Sequence, residues 1–297
     1  MAVVFETKTI GVARVEKRRD AKPLVRLCEF FDRSSSHDKE TLKRLDGRLK
    51  LRRHRLTTLL HHGRYQMLQV DAPAGDPAEA RDIVRWRIKE MVDFPIEKAG
   101  IDLLPVPPVG SRTPQPWAVV ASHDVLRPII HLFQDARLPL AAIDIPELAQ
   151  RNVSALFEQE NRGLALLAFD EEGGRLTLTW QGELYASRRV EVNRSTLAEA
   201  NDSLGGIFER VLLDVQRSLD NFERNFSAIA ISRLLLAPLP ENPAFVDYLR
   251  SNLYQPVAVL DLAEVLDLGE VPALTDARLQ ALALPLIGAA LRDEEAA

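Results

Sequence analysis

The residues in this sequence best suited to chemistry are those that could hold a nucleotide phosphate. Two stretches of the sequence match parts of an Asp-x-Gly turn. The first contains Gly11, and the second contains Asp170, Gly173 and Gly174. In such a turn glycine lets backbone N–H groups approach a phosphate, and the aspartate holds Mg²⁺ through water. These four residues are the candidate cofactor-binding residues if a nucleotide binds.

Each candidate loop departs from the pattern that phosphate binding requires. The first loop is expected at residues 10–14, but position 9 is threonine where the aspartate belongs. Glu171 and Glu172 bring negative charge toward a triphosphate, where each like-charge pair costs on the order of 1 kcal/mol or more. A third loop, for the adenosine, is expected at residues 236–239, which contain a proline and no glycine pair. We therefore expect weak ATP binding or none, with ATP and Mg²⁺ disfavoured as cofactors.

Other residues that could carry chemistry give weaker signals. Cys28 is the single cysteine and lies in an apolar stretch typical of a buried strand, which favours packing over a nucleophilic role. His61 and His62 are adjacent in a glycine turn, without a third ligand at metal-site spacing. The sequence has no Gly-x-x-x-x-Gly-Lys loop, Gly-x-Ser-x-Gly elbow or His-Glu-x-x-His motif. It therefore predicts no catalytic residue and no metal site.

The helix with the clearest start and stop signals lies within residues 76–95. Asp76 is a predicted cap, and the following proline suits a first helical turn. Apolar residues at three- and four-residue spacing predict one buried face: Ala80, Ile83, Val84, Ile88, Met91 and Val92. Because Pro95 disfavours helical geometry in the residue before it, the helix is expected to end near Val92. Trp86 lies beside the apolar face, as a rim residue or as a partner contact.

Composition and charge exclude several classes of protein. The net charge is −5 and 46% of the residues are hydrophobic, so the chain as a whole has no drive toward nucleic acid or anionic lipid. Residues 43–55 are the local exception, with seven Lys or Arg and the single acid Asp46. Such a block is typical of a solvated helix face, and a phosphate or lipid-headgroup surface is the alternative.

One cysteine, no signal peptide and a longest apolar run of 11 residues predict a cytoplasmic chain.

Periodicity predicts two α/β units of comparable size. Strands and helices alternate to about residue 158, with a strand pair at 56–60 and 65–70 and a helix from about residue 38 through the basic block. Three strands joined by glycine turns then form an antiparallel meander, followed by a helix at 207–225 and further strands and helices. We predict a first domain at 1–158, with an inserted helix–strand subdomain at about 71–106, and a second domain at 159–297. This layout is that of the actin and sugar-kinase fold.

Several patches, in order along the chain, resemble the PilM/MshI family of type IV pilus assembly proteins, and the MshI branch more closely. They are Tyr65–Pro73 before the helix, Arg85-Trp86 and Phe94-Pro95 around its end, Ile101-Asp102, the run 142–149 and the ending 287–292. The resemblance covers most of the chain, and no single patch is a catalytic signature. It implies an α/β, actin-like (ribonuclease H-like) two-domain fold with mixed sheets.

The resemblance, together with the departures of the three candidate loops, predicts a function that is not enzymatic. A family member is a bacterial cytoplasmic protein, peripheral at the inner membrane through its partner. It holds the cytoplasmic N-terminal tail of a PilN/MshJ-like membrane protein and meets other pilus platform components. Trp86, Met91 and Phe94 are the candidate apolar contacts for that tail, with core or rim positions as the alternative. Nucleic acid is not an expected partner, and membrane contact is expected to be indirect. Two other classes stay open: an active actin-like ATPase or kinase, and the cytoplasmic part of a type II secretion platform.

Overall fold

The computed structural model describes residues 1–34, 37–71, 77–110, 115–200 and 206–292. Within these residues the strands, in chain order, are β1 (Ala2–Phe5), β2 (Thr9–Arg18), β3 (Ala21–Asp32), β4 (Leu56–Leu59), β5 (Gln66–Gln69), β6 (Ala99–Leu104), β7 (Trp117–Ser122), β8 (Leu140–Asp144), β9 (Gly163–Asp170), β10 (Gly173–Trp180), β11 (Glu183–Val190), β12 (Ile231–Leu236) and β13 (Val257–Val259). The helices are α1 (Asp38–Leu49), α2 (Pro77–Arg87), α3 (His123–Asp135), α4 (Pro146–Phe157), α5 (Arg194–Glu199), α6 (Ile207–Asn225), α7 (Pro243–Asn252) and α8 (Ala277–Ala290).

Contacts divide the chain into two compact units. Unit 1 contains Met1–Asp32 and Asp144–Ala297, and unit 2 contains Arg33–Ile143. Unit 1 is thus built from both ends of the sequence, and unit 2 is continuous. The predicted domain boundary at residues 158 and 159 stays a prediction.

Unit 1 contains a five-stranded mixed sheet in the order β11-β10-β9-β12-β13. Strands β9, β10 and β11 are antiparallel neighbours, which confirms the predicted meander. β12 runs parallel to β9, and β13 parallel to β12. β9 is buried along nearly its whole length, as expected for a central strand covered on both faces.

Helix α6 has the bounds that the sequence predicts. Six apolar residues at three- and four-residue spacing are buried along it: Phe208, Val211, Leu212, Val215, Leu219 and Phe222. The stripe lies against β11 and α7, and the opposite face carries charged residues. Local periodicity alone determines this element.

The other part of unit 1 joins the first strands to the last helix. β1 pairs with β2 and β2 with β3, all antiparallel, and α8 packs against β1 and β2. Helix α4 crosses α8 so closely that a Cβ atom built on Gly288 would lie 2.0 Å from the Ala149 carbonyl oxygen. Gln150 on the same helix donates to the Leu166 carbonyl, at 2.7 Å, and to Thr177 Oγ1, at 2.9 Å. These contacts fix α4 between α8 and the sheet.

Unit 2 contains an antiparallel three-stranded sheet in the order β5-β7-β6, with α2 packed on it. Its core is formed by Val70, Val84, Ile88, Ile96, Ala99, Ala118 and Val120. The segment predicted at about 71–106 therefore belongs to a larger layer that includes β5 and β7. The predicted pairing of the strands at 56–60 and 65–70 is wrong, because β4 lies beside β8 in another sheet.

Helix α2 ends at Arg87, so the prediction of an end near Val92 is wrong. Ile88 still donates to the Val84 carbonyl, but Met91 donates to the Ile88 carbonyl in a tighter turn. The chain bends there because Val92 and Phe94 pack against the core of the three-stranded sheet. The packing of these two side chains, and not Pro95, therefore ends the helix. The predicted cap Asp76 lies outside the described residues.

Candidate functional site

The β9–β10 hairpin contains three of the four candidate nucleotide-binding residues. Asp170 and Gly173 are paired across its end. Asp170 Oδ1 accepts hydrogen bonds from the backbone N–H groups of Glu172, at 2.8 Å, and Gly173, at 3.0 Å. These are the N–H groups that a phosphate would need at this turn. In this conformation the aspartate of the hairpin already occupies them.

Two further contacts involve acidic side chains of the hairpin, and a third joins the hairpin to α4. Arg175 Nη2 lies 3.3 Å from Asp170 Oδ2, and Arg175 Nε lies 3.6 Å from Glu147 Oε1 on α4. Ser195 Oγ donates to Glu171 Oε2 at 2.6 Å. The carboxylate that would hold Mg²⁺ through water, that of Asp170, thus accepts hydrogen bonds within its own turn. In this arrangement the two N–H groups of the turn and the Asp170 carboxylate are engaged within the protein.

Gly173 and Gly174 have structural reasons to be glycine. Gly173 has φ +144°, a backbone conformation that side chains rarely adopt. A Cβ atom on Gly174 would lie 2.6 Å from Phe169 Cε1. The glycine pair therefore permits the turn and the close packing of Phe169, independently of any ligand.

Gly11 lies inside strand β2, paired with Val4 on one side and with Phe30 on the other. The predicted loop at residues 10–14 is therefore wrong, because the β1–β2 turn is at residues 6–8. A Cβ atom on Gly11 would lie 2.8 Å from Leu286 Cδ2 of α8. Glycine at this position permits the close approach of α8. Its cofactor role stays a prediction.

The third candidate loop follows β12 directly. Ala237 N–H donates to the Leu167 carbonyl at 2.8 Å, which continues the pairing with β9 beyond the end of the strand. Ala237 and Leu239 are buried. The expected adenosine turn is thus packed into unit 1.

We expect Asp170→Ala to lower the free energy of unfolding by about 1 kcal/mol, because it leaves two turn N–H groups without their acceptor. Asp170→Asn is the matched control, since its amide oxygen can still accept from both groups. Chemical denaturation of the two variants measures the difference. Equal stabilities would contradict the structural role of the Oδ1 acceptor.

The second candidate site is the α2 surface, which we define as Ile83 and Trp86 on α2 with Met91 in the turn that follows. These apolar side chains are 40%, 66% and 52% exposed, respectively. Lys89 Nζ lies 5.6 Å from the centroid of the Trp86 ring. Exposed apolar side chains grouped on one element are typical of an interaction surface.

Polar contacts hold the helix that presents the α2 surface. Arg81 Nη2 lies 2.9 Å from Asp102 Oδ1 on β6, and Arg85 donates to the Ile96 carbonyl at 3.2 Å. Val84 and Ile88 are fully buried beneath. The exposed residues therefore stand on a helix that its buried face and its arginines fix to the sheet.

The structure separates the three residues predicted to contact a partner. Trp86 and Met91 are exposed, whereas Phe94 is half-buried and packs against the core beneath α2. Ile83, which the sequence predicts on the buried face, joins the exposed pair instead. The helical period predicts both Ile83 and Val84 on the buried face. No local signal in the sequence tells which of two adjacent apolar residues the core will bury. The partner contacts of Trp86, Met91 and Phe94 stay a prediction.

The remaining candidates offer little chemistry. Burial raises the pKa of the Cys28 thiol to about 12, so that it stays protonated at neutral pH. Among the residues that the structure describes, no three His, Cys, Asp or Glu side chains could hold a metal ion together. Within the same ranges, no helix is long and apolar enough to cross a membrane.

The basic block predicted from the sequence folds as α1 and a short 3-10 turn, Leu51–Arg53. Asp46 is only 2% exposed and lies beneath this turn. Its Oδ1 accepts from Arg52 N–H at 2.9 Å and its Oδ2 from Arg52 Nε at 2.6 Å. Burial alone would raise the pKa of the carboxyl, but the Arg52 side-chain and backbone hydrogen bonds outweigh it and lower the pKa.

We expect Asp46→Asn to lower stability at neutral pH, and the difference from wild type to shrink in acid. Because the folded pKa of Asp46 is below its unfolded value of about 3.9, its contribution is present above that pH. The contribution is lost as the pH falls through the folded pKa. Denaturant titrations of both proteins at neutral pH and below about pH 4 measure this. A difference independent of pH would contradict it.

The whole chain is similar to solved structures, although no family model and no curated protein matches the sequence. It matches a chain in the PilM-PilN type IV pilus biogenesis complex with a TM-score of 0.72 and 16% identity, covering 97% of each chain. It also matches a Bacteroides thetaiotaomicron protein of unknown function with an actin-like ATPase fold, with a TM-score of 0.51 and 8% identity, over 93% of this chain and 95% of that one. The fold is actin-like.

This actin-like fold confirms the predicted fold class, α/β with mixed sheets. A further match is the cytoplasmic domain of EpsL, an inner membrane component of the Vibrio cholerae type II secretion system, with a TM-score of 0.47 and 11% identity over 96% of this chain and 93% of that one. At these identities the likenesses concern the arrangement of helices and strands. They do not transfer a function.

Proposed function

We propose that the chain is a non-enzymatic cytoplasmic assembly factor for the inner-membrane platform of a type IV pilus, of the mannose-sensitive haemagglutinin (MSHA) type. The observation that carries the proposal is the fold agreement with a chain of the PilM-PilN complex, over 97% of both chains. The ordered patches that resemble the PilM/MshI family support the same function. Its partner is the cytoplasmic N-terminal tail of a PilN/MshJ-like membrane protein.

The hairpin geometry supports a pseudo-ATPase. Asp170 accepts from the Glu172 and Gly173 N–H groups and pairs with Arg175, so a phosphate and its Mg²⁺ would have to break three existing contacts. Glu171 and Glu172 would also repel the triphosphate. We therefore assign Asp170, Gly173 and Gly174 to the structure of unit 1 rather than to nucleotide binding.

The α2 surface is our proposed contact for the tail. Trp86 offers a large, flat apolar surface, and aromatic side chains of this kind often dominate peptide and protein interfaces. Met91 adds a flexible apolar side chain that adapts to an irregular ligand. Docking through a membrane protein's tail makes the chain peripheral at the inner membrane.

Two calorimetric titrations of the purified protein test the proposal. The first titrant is Mg·ATP, and we expect no heat of binding at high ligand concentration. The second is a synthetic peptide of the N-terminal cytoplasmic tail of the PilN/MshJ-like protein from the same organism, and we expect saturable binding. Tight ATP binding that Asp170→Ala abolishes would instead favour an active ATPase. Absence of tail binding would overturn the docking role.

A further inference from the structure

The exposed face of α1 and the turn after it form a strongly basic surface, which we call the α1 basic surface. Its exposed members are Lys43, Arg44, Arg48, Lys50, Arg52, Arg53 and Arg55. Of the three acids of α1, Asp38 and Asp46 are buried, and Glu40 is exposed at the start of the helix. Arg52 is the cation that pairs with Asp46.

The fold directs these cations outward. Thr41, Leu42 and Leu45 are buried on the inner side of α1, which packs against α3. The helix then ends at Lys50 in a left-handed conformation, with φ +58°, and the 3-10 turn brings Arg52 back over Asp46. A Cβ atom on Gly47 would meet no atom within 4 Å, so the middle of the surface is open.

We propose that the α1 basic surface contacts an anionic lipid surface directly, in addition to the partner's tail. This inference rests on the proposed function, because docking at the inner membrane brings the chain to a negatively charged leaflet. Each Lys or Arg close to such a leaflet adds about fivefold to the partition coefficient. The proposal goes beyond the expectation that membrane contact is only indirect.

The chemistry of the surface favours lipid over nucleic acid. Residues 43–55 contain no Phe, Tyr or Trp on which a base could stack. The chain carries a net charge of −5, whereas nucleic-acid-binding domains are basic overall. The absence of a large apolar side chain on the exposed face indicates electrostatic contact with headgroups rather than insertion, so the contact is expected to be reversible and sensitive to salt.

The test is flotation of the full chain with two kinds of vesicle: phosphatidylcholine alone, and two parts phosphatidylcholine to one part phosphatidylglycerol. We expect binding to the second kind only, and its loss at about 1 M salt, where the Debye length is about 3 Å. The triple variant Lys43→Gln, Arg44→Gln, Arg53→Gln should lower the partition coefficient about a hundredfold. Arg44→Lys with Arg53→Lys keeps the charge and should keep binding.

A matched control removes three exposed arginines elsewhere, with the variant Arg210→Gln, Arg217→Gln, Arg224→Gln on α6. It changes the net charge equally but leaves the α1 basic surface intact, and we expect wild-type binding. Equal binding of wild type and the α1 triple variant would overturn the inference, as would binding to neutral vesicles alone. Tighter binding to a DNA duplex than to the anionic vesicles would also overturn it.

Titration of the partner's tail peptide without vesicles separates the two proposals. The α1 triple variant should bind the tail as wild type does, because its changes do not touch the α2 surface. Loss of vesicle binding with normal tail binding supports both proposals. Normal vesicle binding by a wild-type chain that binds no tail would overturn the docking function alone.

Discussion

Gly288→Ala should lower the free energy of unfolding by about 3 kcal/mol or more, at the upper end for overpacking. The new methyl group would lie 2.0 Å from the Ala149 carbonyl oxygen, and backbone atoms of a packed helix cannot move aside as a flexible side chain can. Separation of α4 from α8 would also break the hydrogen bond from Asn152 Nδ2 to the Gly288 carbonyl, which measures 2.9 Å. The melting temperature should fall by about 6 to 12 °C.

Gly47→Ala is the matched control for this prediction, because it adds the same methyl group to a helix. Nothing lies within 4 Å of the position of that Cβ atom. We expect the control to raise stability by about 0.5 to 1 kcal/mol, the usual gain from replacing an exposed helical glycine. Calorimetric melting of both variants measures the effects. A Gly288→Ala protein as stable as wild type would mean that α4 and α8 do not cross as closely as described.

Trp86→Ala should weaken binding of the partner's tail by about 30-fold, equivalent to about 2 kcal/mol, if the α2 surface is the docking site. The indole ring is 66% exposed and covers little of the core, so the folded state should lose little stability. A large change in affinity without a change in melting temperature is the signature of a contact residue. Calorimetric titration of the tail peptide provides the affinity.

Tyr254→Ala is the control for the loss of an exposed aromatic ring. Tyr254 is 99% exposed and follows α7 in unit 1, away from α2 along the chain. We expect the same tail affinity as wild type. If both variants bind normally, the tail docks elsewhere and the contact assigned to Trp86 is wrong.

Elements with strong local patterns could be predicted from the sequence. The bounds of α6 agree with the structure because the periodicity of its apolar residues determines them locally. The meander β9–β11 was predictable because two glycine turns separate three apolar runs.

Contacts between residues distant in sequence decided the features that were predicted wrongly. Gly11 has the same local sequence signature whether it lies in a loop or in a strand, and only the approach of Leu286 shows why glycine is needed there. Helix α2 ends early because Val92 and Phe94 have a core to pack against. The roles of Ile83 and Asp170 likewise depend on which neighbours cover them or donate to them.

The discontinuity of unit 1 has a consequence for its synthesis. Strands β1 to β3 leave the ribosome long before α8, which packs on β1 and β2, has been made. At about 5 to 20 residues per second, translation of the intervening chain takes on the order of 10 to 50 s. During that interval the apolar face around Gly11 has no cover from α8. Nascent chains of this protein should therefore depend on chaperones until α8 has left the ribosome, and a stalled chain lacking α8 should be a target for proteolysis.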